Sequence, residues 1–144
     1  VDGRFDAALS RIPALPAGAR VMSLAAAIAA GVPEVEAHLG RYATAEVTPF
    51  VALNSALFTD GLFLHLAADV AVESPIQVLH LSTGVVPVVA PRSLLLVGRG
   101  ARAMVVETER ALAFGVELEE ITHVGFVQFW LPRHARTPKD TDNR

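Results

Sequence analysis

The sequence has no cysteine, a single lysine and few aromatic residues. The absence of cysteine excludes a disulfide framework, a thiolate nucleophile and a metal site with cysteine ligands. Lys139 stands alone, no cluster of basic residues occurs, and the formal net charge of −3 argues against a nucleic-acid-binding surface. No apolar run approaches the roughly 18 residues that span a membrane, and no charged segment followed by an apolar one indicates a secretory signal.

Apolar residues are abundant instead. They make up 52% of the 144 residues, the mean hydropathy is +0.43, and the length is typical of one domain. This excess over charged residues predicts that some apolar surface is covered by a partner or by further chain. Because the chain starts at Val1 and not at methionine, we expect a fragment or a processed start.

The stretch from Phe50 to Ser82 consists of short apolar runs separated by turn residues. The runs, which we predict to be strands, are Phe50–Leu53, Ala56–Phe58, Leu62–Leu66, Val70–Val72 and Ile76–Leu81. The breaks fall at Asn54, Asp60–Gly61, Ala68–Asp69 and Ser74–Pro75, since Asp-Gly offers a positive-φ position and proline cannot donate to a ladder. Such spacing predicts a β-sandwich, a barrel or a coiled β-solenoid, and periodicity does not distinguish the three.

Two short helices are predicted before this stretch. Ser23 precedes LAAAIAA and Gly31 follows it, which is the pattern of an N-cap and of a residue just beyond a helix end. Pro33 suits the first turn of a second helix, with Glu34 and Glu36 near its positive end. The prolines between Ser10 and Arg20 predict an extended connection there.

After Ser82 the sequence continues with a turn at Thr83–Gly84, the segment VVPVVA and the strand-like segments SLLLV and ARAMVVE. Gly98-Arg99-Gly100 predicts a tight turn between the last two segments. The pattern changes near Thr108, and the polar, proline-containing end PRHARTPKDTDNR is predicted to be a disordered tail.

Four pieces of the sequence, in this order and spacing, resemble the SufD members of the SufB/SufD family of iron–sulfur cluster assembly proteins. They are VDGRFDAALS, LNSALFTDGLFLHLA, SPIQVLHLSTG and PRSLLLVGRGARAMVVE, and together they extend from Val1 to Glu107. The residues that the family uses for cluster assembly, a cysteine in SufB and a late histidine in SufD, have no counterpart in this stretch. The family's terminal helical regions have none either, including the one that docks the SufC ATPase.

The resemblance implies a mainly β fold: a partial right-handed parallel β-helix preceded by two short helices. The expected organisation is an entry strand and short helices in residues 1–49, β-helix coils in residues 50–107, and an unplaced, loosely ordered segment in residues 108–144. The resemblance also implies a cytoplasmic fragment of a SufD-like scaffold in the SufBCD complex, with SufB-like and SufC-like partners. Such a component has no enzymatic chemistry of its own, because the ATPase activity belongs to SufC.

An alternative interpretation is a stand-alone β module, cupin-like or sandwich-like, that binds a small ligand inside. Strand density and apolar content favour it, whereas the ligand set of a metal-binding cupin is absent. An independent enzyme has no constellation of residues to support it.

Individual residues give no catalytic, cofactor-binding or metal site, and we expect no binding of ATP or iron by the chain alone. His65 and His80 lack further ligands at metal-binding spacing, and His38, His123 and His134 lie apart. The carboxylates Asp60, Asp69 and Glu73 are expected at turns for local reasons. The serines Ser55, Ser74 and Ser82 lack a nucleophile motif. The GRGAR segment at Gly98–Arg102 could hold an anion, but it is predicted to be a turn between two strands. Phe50, Phe58 and Phe63 are predicted core residues.

The last segment departs from the family pattern abruptly after Val105-Val106-Glu107. An abrupt loss of pattern, an arbitrary residue mixture and an early stop are what a shifted reading frame produces. We therefore hypothesise that Thr108–Arg144 is non-family sequence that adds little to the core. Defined burial of Phe126, Phe129 and Trp130 against the preceding strands would contradict this hypothesis.

Overall fold

The computed structural model of the chain describes residues 1–44, 46, 48–84, 88–113, 116–117 and 127–130. These residues form a mixed helix and strand structure with two sheets. The helices are α1 (Leu24–Ala29), α2 (Pro33–His38) and α3 (Pro49–Leu57). The strands are β1 (Ala19–Ser23), β2 (Leu62–Leu66), β3 (Ile76–Ser82), β4 (Ser93–Val97), β5 (Val105–Ala113), β6 (Val116–Glu117) and β7 (Val127–Trp130).

Parallel pairing relates two successive strand–turn–strand units. β2 pairs with β4 in the first sheet, whose order is β1-β2-β4-β7, and β3 pairs with β5 in the second, whose order is β3-β5-β6. A parallel bridge between Ala71 and Arg102 joins the two connections as well. The prediction of parallel stacking between Phe50 and Glu107 is therefore confirmed for β2 to β5. Antiparallel pairing occurs between β1 and β2 and between β5 and β6.

The core lies on both faces of the first sheet, because successive strand residues point to opposite faces. One face of β2 and β4 packs between the sheets, through Leu62, Leu64, Leu66 and Leu95. The other face packs under α1 and α2, through Phe63, Leu94 and Leu96. Phe63 is fully buried, which confirms it as a core residue.

The first two helices follow their predicted caps. The Ser23 hydroxyl accepts a hydrogen bond from the Ala26 N–H at the start of α1, and Gly31 has a φ of 61° just beyond its end. Pro33 occupies the first turn of α2 with Glu34 and Glu36. Both predictions are confirmed, since each depends on residues within one turn of the helix end.

The predicted strands at Phe50–Leu53 and Ala56–Phe58 are wrong, because this segment is helix α3. Pro49 takes the first turn, and the Thr48 hydroxyl accepts from the Val51 N–H at 3.2 Å as an N-cap. Phe50 is also wrong as a core residue: 74% of it is exposed, and Val51 is the buried residue of this helix. Phe58, just after the helix, is half-buried against the helical core.

Two further differences concern the strands around the first sheet. Strand β1 begins in the last two residues of the predicted extended connection and continues to Ser23, and its alternation was too short to identify it. Gly61 has no positive φ, contrary to the prediction for Asp60–Gly61, whereas Asp69 adopts a φ of 61°. The turns at Thr83–Gly84 and Gly98–Gly100 are confirmed by φ values of 77° at Gly84 and 73° at Gly100.

Beyond Glu107, β5 continues to Ala113, and β7 pairs in parallel with β4. Phe126 and the polar end of the chain lie outside the described residues, so the hypothesis about Thr108–Arg144 stays a prediction. No helix among the described residues is long and apolar enough to cross a membrane.

Candidate functional site

A buried polar junction connects segments that are distant in the sequence. We name it the Asp60–Arg92 junction, for the two buried charged residues at its centre and the groups that bind their side chains. Asp60 is 6% exposed, and its carboxylate accepts hydrogen bonds from four donors. They are the backbone N–H groups of Phe5 (2.9 Å), Ala25 (2.9 Å) and Gly61 (2.7 Å), and the Ser23 hydroxyl (2.8 Å). One carboxylate thus fixes the N-terminal segment, the start of α1 and the entry to β2.

Hydrogen bonding determines the charge state of Asp60. Burial alone raises the pKa of its carboxyl, but the donors from Ala25, Phe5, Gly61 and Ser23 together outweigh burial and lower the pKa. The group is therefore an anion at neutral pH with its oxygens occupied. Such a carboxylate holds a conformation and is unsuited to general acid catalysis, which needs a raised pKa.

Arg92 forms the other half of the junction at the start of β4. It is 3% exposed, and its guanidinium donates to the Ser55 hydroxyl at 2.6 Å and to the Ala43 carbonyl at 2.9 Å. The guanidinium also lies over the Phe58 ring, 5.6 Å from its centroid. Burial lowers its pKa. Arg92 thereby connects α3 and the segment before it to the first sheet.

Backbone contacts bring the two halves together. The Arg92 N–H donates to the Asp60 carbonyl at 3.1 Å, and a Cβ on Gly61 would lie 1.9 Å from the Arg92 carbonyl oxygen. Only glycine allows this approach. Asn54 of α3 adds a bond from its side-chain amide to the Pro91 carbonyl at 3.0 Å.

The N-terminal segment is fixed at a second point. The Asp2 carboxylate accepts from the backbone N–H of Thr83 at 2.8 Å and from its hydroxyl at 2.7 Å, and these bonds lower the Asp2 pKa. The Thr59 hydroxyl donates to the Gly3 carbonyl at 3.3 Å. Polar groups therefore connect four segments of the family-like sequence, namely VDGRF, LNSALFTDG, STG and PR.

The histidines do not form a site together. His65 lies on β2, where its Nδ1 is 3.3 Å from the Arg20 guanidinium and 4.0 Å from the Glu34 carboxylate, and His80 lies on β3 in the other sheet. His38 stacks on Tyr42. His123 and His134 are outside the described residues. Among the residues that are described, no group of three or more histidine, aspartate or glutamate side chains could hold a metal ion.

The remaining candidates lie at separate places. Asp69 is exposed at its turn, and Glu73 pairs with Arg102 at 3.1 Å on the surface. A Cβ on Gly100 would meet the Asp69 carboxylate at 2.3 Å, so an anion lies against the GRGAR turn and opposes its use as an anion cradle. Ser55 is committed to Arg92, while Ser74 is exposed. Sequence reasoning missed the burial of Arg92, for which the PR dipeptide was the available signal.

Comparison with protein families places the first half of the chain in a known family. Residues 1–78 match the family described as the SufBD protein N-terminal region. No curated protein matches the chain, and no solved structure does. The matched region contains Asp2, Asn54, Asp60 and Gly61, and Arg92 lies beyond it.

Proposed function

The chain belongs to the SufBD family, and from this premise we propose that it is a SufD-like scaffold component of a SufBCD complex. The family connects the chain to iron–sulfur cluster assembly. The match over residues 1–78 is the observation that carries the proposal. The order of the SufD-like sequence pieces, which continues past the matched region to Glu107, supports the finer assignment to SufD.

The strand arrangement supports a parallel β-helix as the scaffold. β2 and β3 form one strand–turn–strand unit, and β4 and β5 form the next, paired in parallel strand by strand. Each unit covers the apolar edge of its neighbour, which is how solenoids acquire a continuous core. We propose that this stack is a part of a right-handed parallel β-helix that presents surfaces to SufB-like and SufC-like proteins in the cytoplasm.

A scaffold role agrees with the chemistry of the junction. Asp60 and Arg92 direct their polar groups to backbone and hydroxyl partners within the chain, so they stabilise the meeting of distant segments. We propose that the chain has no enzymatic activity of its own. The alternative of a cupin-like or sandwich-like module is less favoured, because those folds pair their strands mainly antiparallel.

Capture by partner proteins tests the SufD assignment. The tagged full chain is co-expressed with a SufB and SufC pair and, separately, with a SufD and SufC pair, and the complexes are isolated by affinity and size-exclusion chromatography. We expect capture with SufB and SufC, and competition when untagged SufD is added. Capture only by the SufD and SufC pair would assign the chain to SufB, and capture by neither pair would overturn the proposed complex.

Binding measurements test the expectation that the chain alone binds neither iron nor ATP. We expect the purified chain to retain no iron through gel filtration and to show no ATP binding by calorimetry, because no phosphate-binding loop occurs in the sequence. Stoichiometric iron, or a micromolar Kd for ATP, would contradict this expectation.

A further inference from the structure

Three polar side chains meet where β1, β2 and α2 come together. Arg20 of β1 and His65 of β2 are register partners across the antiparallel ladder. The Arg20 Nη2 group donates to the Glu34 carboxylate of α2 at 2.5 Å, and the same nitrogen lies 3.3 Å from the His65 Nδ1. The Glu34 carboxylate is 4.0 Å from that Nδ1. We name these residues the Arg20–Glu34–His65 cluster.

The contact with Arg20 determines where His65 carries its proton. A guanidinium is always charged and offers only donors, so the His65 Nδ1 at 3.3 Å has to be the acceptor. A ring nitrogen accepts only through its lone pair, which is present when the ring is neutral and the proton is on the other nitrogen. The geometry therefore places the proton of the neutral His65 ring on Nε2.

Protonation of His65 is incompatible with this arrangement. A proton on Nδ1 turns the acceptor into a donor and sets a second cation against the guanidinium, so the contact with Arg20 becomes repulsive. Glu34 is the acceptor within reach, because an approach of about 1 Å brings its oxygen into hydrogen-bond distance of Nδ1. Glu34 stays an anion, since hydrogen bonding to its own backbone N–H and the nearby charges lower its pKa from the ordinary 4.5 against the effect of burial.

The elements around His65 supply few other charges. Among the described residues, Glu34 and His38 act on it from α2 and Arg20 acts from β1, while α1 and β4 have no charged side chain. Burial lowers the pKa of His65 from its ordinary 6.5, Arg20 and His38 lower it further, and Glu34 raises it in part. The ring is therefore neutral at neutral pH and takes up a proton only below pH 6.5.

We propose that His65 is a proton-operated switch that exchanges the partner of Glu34. Neutral His65 accepts from Arg20, which holds Glu34 and thereby attaches α2 to the edge strand β1. Protonated His65 donates to Glu34 instead, and Arg20 turns to solvent, to which 43% of its side chain is already exposed. The attachment of α2 thus passes from β1 to β2. The proposal depends on these contacts and not on the family, so it can fail while the SufBCD assignment stands.

Nitrogen-15 NMR of the side chains in the full chain tests the proposal, with the His65 signals assigned by their loss in His65→Gln. At about pH 7.5 we expect the form with the proton on Nε2 to exceed the other neutral form about ten-fold or more, because hydrogen bonds to charged groups are strong. The Arg20 guanidinium protons should give separate signals while both contacts restrain rotation, and these signals should merge as His65 is protonated. Equal amounts of the two neutral forms, or Arg20 signals that stay unchanged through the titration, would overturn the proposal.

Matched variants separate the two partners of the switch. Arg20→Met removes the donor and the cation, so we expect it to abolish the preference for Nε2 and to raise the titration midpoint of His65. Glu34→Gln removes the acceptor of the protonated ring and should lower the midpoint. Glu36→Gln is the control, because it makes the same charge change in the same turn of α2 at an exposed position, and it should leave His65 unchanged. Midpoint shifts of Arg20→Met and Glu34→Gln in the same direction would contradict the exchange.

Discussion

At the scale of residues, the Asp60 carboxylate carries the largest set of hydrogen bonds in the junction. Asp60→Asn replaces one acceptor oxygen by an amide that faces donors, and we expect it to lower the free energy of unfolding by about 2–3 kcal/mol in urea denaturation. Asp69→Asn is the control, because Asp69 is exposed and asparagine tolerates its positive φ. It should change stability by less than about 0.5 kcal/mol.

The same carboxylate gives a pH dependence of known sign. Its pKa is lower in the folded chain than its ordinary value of 3.8, so the stabilisation is present above that value and is lost as the pH falls through the folded pKa. The difference in stability between wild type and Asp60→Asn should therefore shrink on acidification below pH 3.8. A difference that is constant with pH would mean that the charge of Asp60 contributes nothing.

A substitution at Gly61 tests the close approach of the Asp60–Gly61 segment to the Arg92 backbone. A Cβ there would lie 1.9 Å from the Arg92 carbonyl oxygen, so Gly61→Ala must displace backbone. We expect a loss of about 3 kcal/mol or more. Gly31→Ala meets no atom within 4 Å and should cost only about 1 kcal/mol for its positive φ. Equal losses in thermal or urea unfolding would contradict the close contact.

At the scale of elements, the caps of α1 and α3 differ in what they connect. The Ser23 hydroxyl caps α1 and also donates to Asp60, while the Thr48 hydroxyl accepts from the Val51 N–H as the cap of α3. We expect Thr48→Ala to cost about 1 kcal/mol and Ser23→Ala about 2 kcal/mol. In a double-mutant cycle Ser23→Ala and Asp60→Asn should be non-additive. Additive losses would show that the Ser23–Asp60 bond stabilises nothing.

His65 of β2 lies at the contact between α2 and the first sheet, 4.0 Å from the Glu34 carboxylate. Burial lowers the His65 pKa from its ordinary 6.5, the charges of Arg20 and His38 lower it further, and Glu34 raises it in part. The folded pKa lies below the unfolded one, so the unfolded chain takes up the proton first as the pH falls, and stability decreases below pH 6.5. We expect His65→Gln to weaken this decrease in urea denaturation between about pH 7.5 and 5.5. An unchanged decrease would contradict the assignment to His65.

At the scale of the whole molecule, α3 exposes a stripe of apolar side chains to solvent. Its buried side makes the Asn54 and Ser55 hydrogen bonds, while Phe50, Leu53 and Leu57 are 74%, 53% and 43% exposed. Residues spaced in this way form one apolar stripe. We expect self-association of the isolated chain, and we expect Phe50→Ser with Leu53→Ser to reduce it in light scattering. A monodisperse wild-type monomer with a cooperative melt would contradict this prediction.

Local chemistry determined much of the structure from the sequence alone. The strand bounds Leu62–Leu66 and Ser93–Val97 follow from short apolar runs between turn residues, and Ser23 and Pro33 indicate their helix starts. The order of the motif pieces also indicates the SufB/SufD family without reference to the fold. Each of these signals depends on neighbours within a few residues, which the sequence displays directly.

Only the tertiary structure decided the rest. Phe50–Phe58 contains apolar runs that suit a strand or a helix, and the bonds from Asn54 to Pro91 and from Arg92 to Ser55 accompany its helical form. Arg92 looks like a surface residue until α3 and Phe58 cover it, and Gly61 looks like a turn glycine until the Arg92 backbone approaches it. These features depend on groups more than 30 residues apart, whose meeting is set by packing of the whole chain and not by local preference.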